Sequence, residues 1–466
     1  MFGQTHALSR FLLEMELDDV PAEVCEHTKR LVLNLLGASL WGWETLGGPA
    51  TYAVLSAMGG SEEAGVVGAS TRLPSPLAAG VNAALAFASK ADDTHGGAFV
   101  HPGHVIIPTA LAVGEARGSA GHEVLTAIIA ATEAGIRVAR AVAPAEDLEH
   151  NSTRMGFWSE VKCAILAAMA AARLEELTEE QITHAIGIAA TSSSGLLSSA
   201  GYGPPPHRSA AGSVYAWDAG KAAMLGVLAS RLAAAGMTTG EQPLEGQRGW
   251  VRTYTGGHGR MEALTEGLGT EFETLRIAYK TRPMSHTVFA SVDAVGAIVE
   301  RERVAAEDVA EIVIRGPAYL GQNFWRTRIE TFEDAACSAP FVIALNVVAP
   351  AVMTLPDTVL AHLNDDRVHR LMARCVFEED PNVPLDAADL PGSVTMLLRD
   401  GRRFDQSQPA TEHASQLKVR QVDLEHKFAR GATNRLGPDA VTDIVANVAT
   451  LERLDDVRSL TRRLQS

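Results

Sequence analysis

The stretch that decides the fold is WSEVKCAILAAMAAARLEELTEEQITHAIGIAATSSSG, residues 158–195. Its first half is rich in alanine, the residue with the strongest intrinsic preference for the α-helix. Its second half begins with a threonine cap and an acidic first turn, and it ends in a run of serine and glycine. We therefore predict two consecutive α-helices, whose small side chains would allow neighbouring helix axes to approach closely.

Helical patterns continue on both sides of this stretch, up to about residue 265. Apolar residues recur with helical spacing, prolines stand at a first turn in one segment, and a glycine ends another. The segments with this pattern are PAEVCEHTKRLVLNLLGASLWGW, PSPLAAGVNAALAFASK, HEVLTAIIAATEAGIRVARAV and SVYAWDAGKAAMLGVLASRLAAAG. No fixed repeat period is visible, so we expect a compact all-α core rather than a repeat array.

The composition changes after about residue 265, where strand patterns appear. EFETLRIAYK alternates like a strand, VAEIVIRG is a second predicted strand, and GSVTMLLRDGRRFDQ predicts a hairpin around Asp400 and Gly401. Helical segments such as SHTVFASVDAVGAIVERE lie between them, so the region is predicted to be α+β. From about residue 411 the helical pattern resumes.

The predicted fold is therefore mainly α: a large all-α helical domain with an inserted smaller α+β lid domain. The predicted boundaries are 1–265 for the N-terminal part of the helical domain, 266–410 for the α+β lid domain, and 411–466 for C-terminal helices that return to the helical domain. A chain of 466 residues is too long for one compact core, which agrees with more than one domain.

The bulk composition limits the classes of partner. The formal net charge of −16 argues against nucleic acid or an anionic membrane surface, because both favour basic patches. The four cysteines are scattered without metal-ligand spacing, so buried thiols in a reducing compartment are expected. The N-terminus lacks a signal-peptide pattern, and no apolar stretch reaches the roughly 18 residues that a membrane span needs. We expect a cytoplasmic protein.

One loop concentrates the titratable chemistry: KADDTHGGAFVHPGHVIIPTALAVGEA, residues 90–116. Adjacent aspartates are more often a helix cap or a solvated turn than a catalytic pair. His101 is more informative, because it precedes Pro102 at the predicted start of a buried helix. Backbone N–H groups and the positive end of the helix dipole favour an anionic ligand there. An imidazole in that place predicts a general acid or base that acts on a carboxylate substrate.

Several segments of the chain together resemble the MmgE/PrpD family. Members of that family include 2-methylcitrate dehydratase, cis-aconitate decarboxylase and iminodisuccinate epimerase. The resemblance covers nearly the whole chain, and it implies a large helical domain with a smaller α+β lid, an active site between them, a homodimer, and no metal. The segments that carry it are AAGVNAALAFA, DDT…HPG…IPTALAVGEA, VLNLLGASLWG, AGKAAMLGVLASRLAAAG, AYKTRPMSH…VDA and LEHKFARGA…LERLDDVRSL.

The resemblance can be carried over residue by residue. Matching positions are Asp92, Asp93 and Thr94 for the family's DDT, His101 for its HP histidine, and Lys280 for the lysine that opens the lid motif. This chain departs from the family pattern at four positions. Lys90 stands where an aspartate is frequent, Trp158 where a histidine is common, Tyr215 where a lysine is usual, and Arg282 where an aromatic residue precedes the lid proline.

The residues themselves predict a cationic pocket for carboxylates on an otherwise acidic protein. Lysine and arginine pair well with carboxylates in a partly desolvated cleft, and they stabilise the enolate-like charge that forms when an α-proton is removed. The predicted catalytic residues are His101, Asp93, Thr94, Tyr215 as a phenol and His207 as a partner in proton transfer. The predicted substrate-binding residues are Lys90, Asp92, Arg208, Lys280, Arg282, His286 and Trp158, and His286 is also a candidate for the opposite proton transfer or for a simple helix cap.

The leading hypothesis is a cofactor-independent lyase of the dehydratase type that acts on a small carboxylated substrate by acid–base proton transfer in the interdomain cleft. Epimerisation needs only the proton-transfer half of that chemistry, and decarboxylation is a further alternative. A catalytically silent binding relative is the alternative from another class. A metal enzyme is disfavoured, because Asp92, Asp93, His95, His101 and His104 fit no common ligand spacing. A nucleotide-dependent enzyme is disfavoured too, because no glycine-rich phosphate-binding motif appears.

Overall fold

The structure is a computed structural model that describes residues 3–143, 151–152, 155–203, 210–350, 356–383, 392–408 and 419–466. It is mainly α-helical, as the sequence predicts. The contacts divide the chain into two compact units. The helical unit comprises Met1–Leu196, Val214–Tyr279 and Arg420–Ser466, and the α+β unit comprises Leu197–Ser213 and Lys280–Val419.

The helical unit contains long helices joined by short turns. Its described α-helices are Gln4–Glu14, Ala22–Trp41, Gly47–Ala57, Ser75–Ala88, Gly103–Arg117, Gly121–Val142, Cys163–Leu174, Glu179–Thr191, Val214–Ala234, Trp250–Thr253, Gln421–Leu436, Pro438–Ala449 and Arg458–Thr461. Its strands are two-residue pairs, Ala64–Gly65 with Arg72–Leu73 and Asp93–Thr94 with Ala278–Tyr279. In the part of the chain that the structure describes, every helix is too short or too polar to span a bilayer.

Small residues let the central helices of this unit pack closely, as the alanine-rich sequence predicts. A Cβ atom added at Gly220 would lie 2.7 Å from the carbonyl oxygen of Gly80 on a neighbouring helix. One added at Gly226 would lie 2.4 Å from Cβ of Ala167 on a second neighbour. Both distances are shorter than a packed interior tolerates. The helix from residue 214 to residue 234 is therefore held against two partners through its glycines.

The C-terminal helices pack on the helical unit. The Gln421–Leu436 helix lies against the Ala22–Trp41 helix. An added Cβ at Gly37 would lie 3.3 Å from Cα of Phe428, and the Phe428 side chain is fully buried. The chain after residue 420 thus contributes to the same core as the chain before residue 196.

The segment from 266 to 279, which the sequence predicts to be part of the lid domain, packs on the helical unit. Arg137, which is fully buried, donates hydrogen bonds to the carbonyl oxygens of Glu266, Gly267 and Glu271 at 2.8–2.9 Å. These bonds tie the segment to the Gly121–Val142 helix. The helical unit therefore includes this segment up to Tyr279.

The strand predicted for EFETLRIAYK is mostly wrong. Residues Glu273–Arg276 form a 3₁₀ turn, and only Ala278–Tyr279 pair as a strand. The reason is that the Glu133 carboxylate accepts hydrogen bonds from the backbone N–H groups of Glu273 and Thr274 at 2.9 and 2.8 Å. A side chain from a neighbouring helix thus satisfies donors that a sheet partner would otherwise satisfy.

The α+β unit contains a four-stranded sheet. In spatial order its strands are Cys375–Glu379, Val309–Gly316, Gly392–Leu398 and Arg403–Gln408. The first pair is parallel and the other two pairs are antiparallel. The predicted strand VAEIVIRG and the predicted hairpin are confirmed, and Gly401 in the turn has a φ of 89°, which glycine adopts without steric cost.

Short helices complete this unit. They are Phe289–Glu302, Ala318–Phe324, Phe332–Ala336, Ala339–Val348, Pro356–Ala361 and Asp366–Met372. The Phe289–Glu302 helix packs on the two strands of the hairpin. A Cβ added at Gly392 would lie 2.3 Å from the backbone carbon of Ala290, so glycine is needed where helix and strand meet.

Candidate active site

His101 is surrounded by oxygen atoms on one side of its ring. Its Nδ1 atom lies 2.6 Å from the carbonyl oxygen of Asp93 and 2.9 Å from the hydroxyl oxygen of Thr94. A carboxylate oxygen of Asp92 lies 3.2 Å from the same nitrogen. The Thr94 hydroxyl donates its own proton to the Asp93 carbonyl at 2.8 Å, so each of these oxygens offers an acceptor lone pair to the ring. Nδ1 therefore carries the proton, and the lone pair of the neutral ring lies on Nε2.

The His101 ring is partly accessible, whereas the carboxylate behind it is not. The side chain of His101 is 20% exposed and that of Asp92 is 0% exposed. The buried carboxylate therefore lies beside the protonated nitrogen Nδ1, and the lone pair of the ring is on the other nitrogen, Nε2. This is the arrangement in which an imidazole acts as a general base and then, once protonated, as a general acid.

The helix that follows His101 holds the loop in place. The helix begins at Gly103, as the sequence predicts, and the Gly103 N–H donates to a carboxylate oxygen of Asp93 at 3.2 Å. A Cβ at Gly103 would lie 2.1 Å from the other Asp93 carboxylate oxygen and 2.5 Å from Leu35, so glycine is required here. On the other side, Asp93 pairs with Tyr279 in a short antiparallel bridge.

Two buried polar side chains fix the backbone beside Asp92. The Asn34 amide donates to the carbonyl oxygen of Asp92 at 2.7 Å. Lys427, from the C-terminal region, donates to the Asn34 side chain at 2.6 Å and to the carbonyl oxygen of Ala91. Helices from both ends of the chain thus position the loop that carries the aspartates.

Lys90 is buried rather than a surface cation, since only 5% of it is exposed. Its Nζ lies 3.3 Å from the ring centroid of Tyr215, 4.8 Å from that of Phe87 and 5.5 Å from that of Trp158. These are cation–π distances. The ring centroid of His101 lies 5.4 Å from that of Phe87, so the ammonium group and the imidazole contact the same aromatic side chain.

Tyr215 and Trp158 offer ring faces to this group. The Tyr215 hydroxyl donates to the carbonyl oxygen of Ala88 at 3.1 Å, and the side chain is 1% exposed. Its predicted role as a catalytic phenol stays a prediction. Trp158 is 8% exposed and its backbone N–H donates to the carbonyl oxygen of Gly195.

A layer of buried ionisable side chains lies behind Asp92, and none of its residues is among the predicted site residues. The His104 ring stacks on Phe87 with 4.2 Å between centroids, and its Nδ1 lies 3.9 Å from the Asp92 carboxylate. Its Nε2 lies 3.7 Å from a carboxylate oxygen of Glu160. The sequence signal for this layer is the pair of opposite charges at Glu160 and Lys162, which directly precede the largely apolar Cys163–Leu174 helix.

Burial dominates the electrostatics of this layer. It raises the pKa of Glu160 to about 8, and the negative charge of Asp218 acts in the same direction. It lowers the pKa of Lys162 to about 8, and it raises the pKa of the Cys163 thiol well above its usual value. The Lys162 ammonium group donates to the carbonyl oxygens of two loop residues, which ties this layer to the loop.

The other predicted residues divide between the two units. Within the α+β unit, Arg282 forms an ion pair with Asp293 at 2.7 Å and its guanidinium lies 4.6 Å from the Phe289 ring centroid. The helical unit contains seven of the predicted residues, which are Lys90, Asp92, Asp93, Thr94, His101, Trp158 and Tyr215. The α+β unit contains Lys280, Arg282 and His286. His207 and Arg208 lie outside the described residues.

Two nearby pairs have structural roles. His95 accepts a hydrogen bond at Nδ1 from the backbone N–H of Ala98, so its Nε2 donates to the Glu273 carboxylate at 2.9 Å. Both ring nitrogens are thus engaged within the fold. Asp218 and Lys221 form an intrahelical ion pair at 2.6 Å.

Comparisons with known proteins cover almost the whole chain. The MmgE/PrpD N-terminal domain matches residues 6–262, and the MmgE/PrpD C-terminal domain matches residues 283–452. Among curated proteins, a cis-aconitate decarboxylase of Aspergillus terreus is 29% identical over 307 residues, which cover 63% of this chain and 59% of that protein. The human cis-aconitate decarboxylase is 24% identical over 480 residues, which cover 99% of this chain and 94% of that protein. The chain thus spans about three fifths of the Aspergillus terreus relatives, 59% and 61%, and nearly all of the human one.

Proposed function

Because the chain belongs to the MmgE/PrpD family, we propose that it is a lyase that acts on a small carboxylated substrate through proton transfer at His101. The observation that carries the proposal is the orientation of this ring. Its Nδ1 faces the Asp93 carbonyl, the Thr94 hydroxyl and the Asp92 carboxylate at 2.6–3.2 Å. A fixed tautomer with the lone pair on Nε2 suits a general base.

In the proposed reaction, Nε2 of His101 takes a proton from the carbon next to a substrate carboxylate. The electron pair of that C–H bond forms a carbon–carbon double bond, and a hydroxyl on the neighbouring carbon leaves. The hydroxyl takes this proton from the His101 imidazolium as it leaves, so that water is released and the imidazole is neutral again. The Asp92 carboxylate stabilises the imidazolium that forms, because it lies 3.2 Å from Nδ1 and is fully buried.

Lys90 is the cation that we assign to recognition of a substrate carboxylate on the helical unit. Its ammonium group packs on the rings of Tyr215, Phe87 and Trp158. Contacts with aromatic faces do not remove the positive charge of the ammonium group, and a carboxylate is a strong hydrogen-bond partner for such a group. Arg208, Lys280, Arg282 and His286 remain proposed contributors to the same recognition.

Decarboxylation is the second candidate, and the relatives favour it, since each of the curated proteins compared above is a cis-aconitate decarboxylase. In that reaction the bond between the carboxylate and the neighbouring carbon breaks and CO₂ leaves. The electron pair of the broken bond is protonated by the imidazolium of His101. Both candidates use one proton on the same nitrogen and need no cofactor.

The experiment that separates these candidates supplies the protein with 2-methylcitrate, citrate and cis-aconitate in D₂O and follows each by proton NMR. Loss of water supports the dehydratase: citrate would give a product with one vinylic proton, and 2-methylcitrate would give an unsaturated product in which the methyl doublet has become a singlet. Release of CO₂ with one deuterium in the product supports the decarboxylase. Exchange of the α-proton without either product supports an epimerase.

The proposal fails if folded protein produces none of these changes with any substrate of this class. A protein that binds a carboxylate, as measured by calorimetry, but never exchanges its proton would instead be a silent binding relative. The predicted homodimer and the predicted cytoplasmic location stay predictions, which light scattering and cell fractionation test separately.

A further inference from the structure

A compact cluster of three side chains lies deeper than His101 and has no part in the proposed reaction. His104, Glu160 and Cys163 are between 0% and 1% exposed. The Nε2 atom of His104 lies 3.7 Å from a carboxylate oxygen of Glu160 and 4.0 Å from the sulfur of Cys163. One potential ligand atom from each residue lies within 4.8 Å of the other two.

We propose that His104, Glu160 and Cys163 bind a divalent transition-metal ion, for which Zn²⁺ is the best match. Imidazole nitrogen, carboxylate oxygen and thiolate sulfur are the ligands that zinc uses in proteins, at roughly 2.0–2.3 Å. A tetrahedral ion at those distances places its ligand atoms about 3.3–3.7 Å apart. The two separations from His104, 3.7 and 4.0 Å, therefore need to contract by only about 0.5 Å or less, and the third, between Glu160 and Cys163, starts within 4.8 Å.

The surroundings of the histidine support this assignment. Its Nε2 faces Glu160 and Cys163, whereas its Nδ1 lies on the other side of the ring, 3.9 Å from the Asp92 carboxylate. Histidine ligands of metal ions commonly direct their second nitrogen to a carboxylate, which orients the ring and raises its basicity. His104 therefore has its metal-facing and carboxylate-facing nitrogens in the order that such a site requires.

The glutamate supplies a second, independent observation. One carboxylate oxygen of Glu160 accepts a hydrogen bond from the Ser159 hydroxyl at 2.8 Å. The other is buried and finds no hydrogen-bond partner in the described part of the chain. An orphaned buried carboxylate oxygen is costly. The oxygen that lies 3.7 Å from Nε2 of His104 is the one that accepts from Ser159. A cation bound by Glu160 would therefore remove the cost where the carboxylate binds it through both oxygens, or turns the orphaned oxygen towards it.

Charge and rigidity agree with a metal that is bound as the protein folds. A thiolate and a carboxylate together balance the charge of a divalent cation, so the ion and its two anionic ligands would carry no net charge. The ligands come from the first turn of the Gly103–Arg117 helix, from the 3₁₀ turn Ser159–Val161 and from the start of the Cys163–Leu174 helix. Because all three are buried, we expect slow exchange and little loss during brief exposure to a chelator.

The test is the metal content of the full-length protein, purified without a metal-affinity column and measured by plasma mass spectrometry. We expect about one zinc ion per chain, bound tightly enough to survive gel filtration. The variants Cys163→Ser and Glu160→Gln should lose most of the metal. Cys25→Ser is the matched control, because this half-buried thiol lies elsewhere in the same unit, and it should keep the metal.

A second measurement covers the case in which the variants fold poorly. Wild-type protein that has been stripped by prolonged dialysis against a chelator is titrated with Co²⁺, and a thiolate-to-cobalt absorption band with a rise in Tm is expected. Wild-type protein that is folded, metal-free and unchanged by added Zn²⁺ or Co²⁺ would overturn the proposal. Equal metal content in wild type, Cys163→Ser and Glu160→Gln would overturn it too. Neither result depends on whether the protein is a lyase.

Discussion

Gly103→Ala should damage the candidate site through one added methyl group. The new Cβ would lie 2.1 Å from a carboxylate oxygen of Asp93 and 2.5 Å from Leu35. Asp93 would have to move away, which breaks the 3.2 Å hydrogen bond that it accepts from the Gly103 N–H. Because His101 Nδ1 lies 2.6 Å from the Asp93 carbonyl oxygen, the ring would move with it.

The magnitude follows from three terms. Overpacking costs about 1–3 kcal/mol, and the lost hydrogen bond costs about 1 kcal/mol. Alanine returns at most about 1 kcal/mol through its better helix propensity. The free energy of unfolding should therefore fall by about 2 kcal/mol. A displacement of the reacting group by about 1 Å is enough to lower kcat/KM by about 100-fold.

Urea unfolding, followed by circular dichroism, measures the free energy of unfolding. The rate of proton exchange in D₂O, with the substrate found in the experiment above, measures the effect on kcat/KM. Gly240→Ala is the matched control, because Gly240 is exposed and an added Cβ there would meet nothing within 4 Å. A Gly103→Ala protein that matches this control in both stability and exchange rate would refute the reasoning about how the helix start holds the loop.

Three further predictions concern other buried charges. Glu133→Gln should lower the free energy of unfolding by about 3–5 kcal/mol in urea titrations, because it leaves the fully buried Arg137 guanidinium without its charged partner. Glu23→Gln is the control, because Glu23 is exposed, and its free energy of unfolding should stay close to that of wild type. Burial opposes ionisation of Glu273, but the hydrogen bond from a histidine and two nearby arginines lower its pKa to about 2. Because this pKa is lowered by folding, ionised Glu273 stabilises the fold above about pH 4.5, and the stabilisation is lost as the pH falls towards 2. The free energy of unfolding of Glu273→Gln should therefore change less with pH in that range than that of wild type. Parallel pH profiles for the two proteins would contradict this. Lys90→Met should raise KM by about 10- to 100-fold with kcat changed far less, as expected for the loss of a hydrogen bond between charged groups, and an unchanged KM would remove Lys90 from substrate binding.

The helical part of the fold could be predicted because its signals are local. Alanine-rich segments with helical spacing, such as residues 163–174, become helices whose small residues also determine their packing. The hairpin at Gly401 could also be predicted, because its turn needs a positive φ, which glycine adopts without steric cost. The segment EFETLRIAYK was misread, since alternation alone could not reveal that the Glu133 side chain would satisfy its backbone donors.

The candidate site was only partly predictable. The DDT motif and His101 lie in one loop, and their proximity follows from the chain itself. Glu160 lies 56 residues after His104 in the sequence, and only the packing of helices brings their side chains to 3.7 Å. The burial of Lys90 was not readable either, because it depends on three aromatic rings from separate parts of the helical unit.

The central claim is that Nε2 of His101 moves the substrate proton. The most direct measurement compares wild type, His101→Asn and His122→Asn for exchange of the substrate α-proton in D₂O. Asparagine can keep the N–H donor that faces the Asp93 carbonyl, but it lacks the proton-accepting Nε2, so exchange should fall by about 100- to 10,000-fold. His122 is exposed, and its variant should exchange at the wild-type rate. A folded His101→Asn protein that exchanges as fast as wild type would contradict the account.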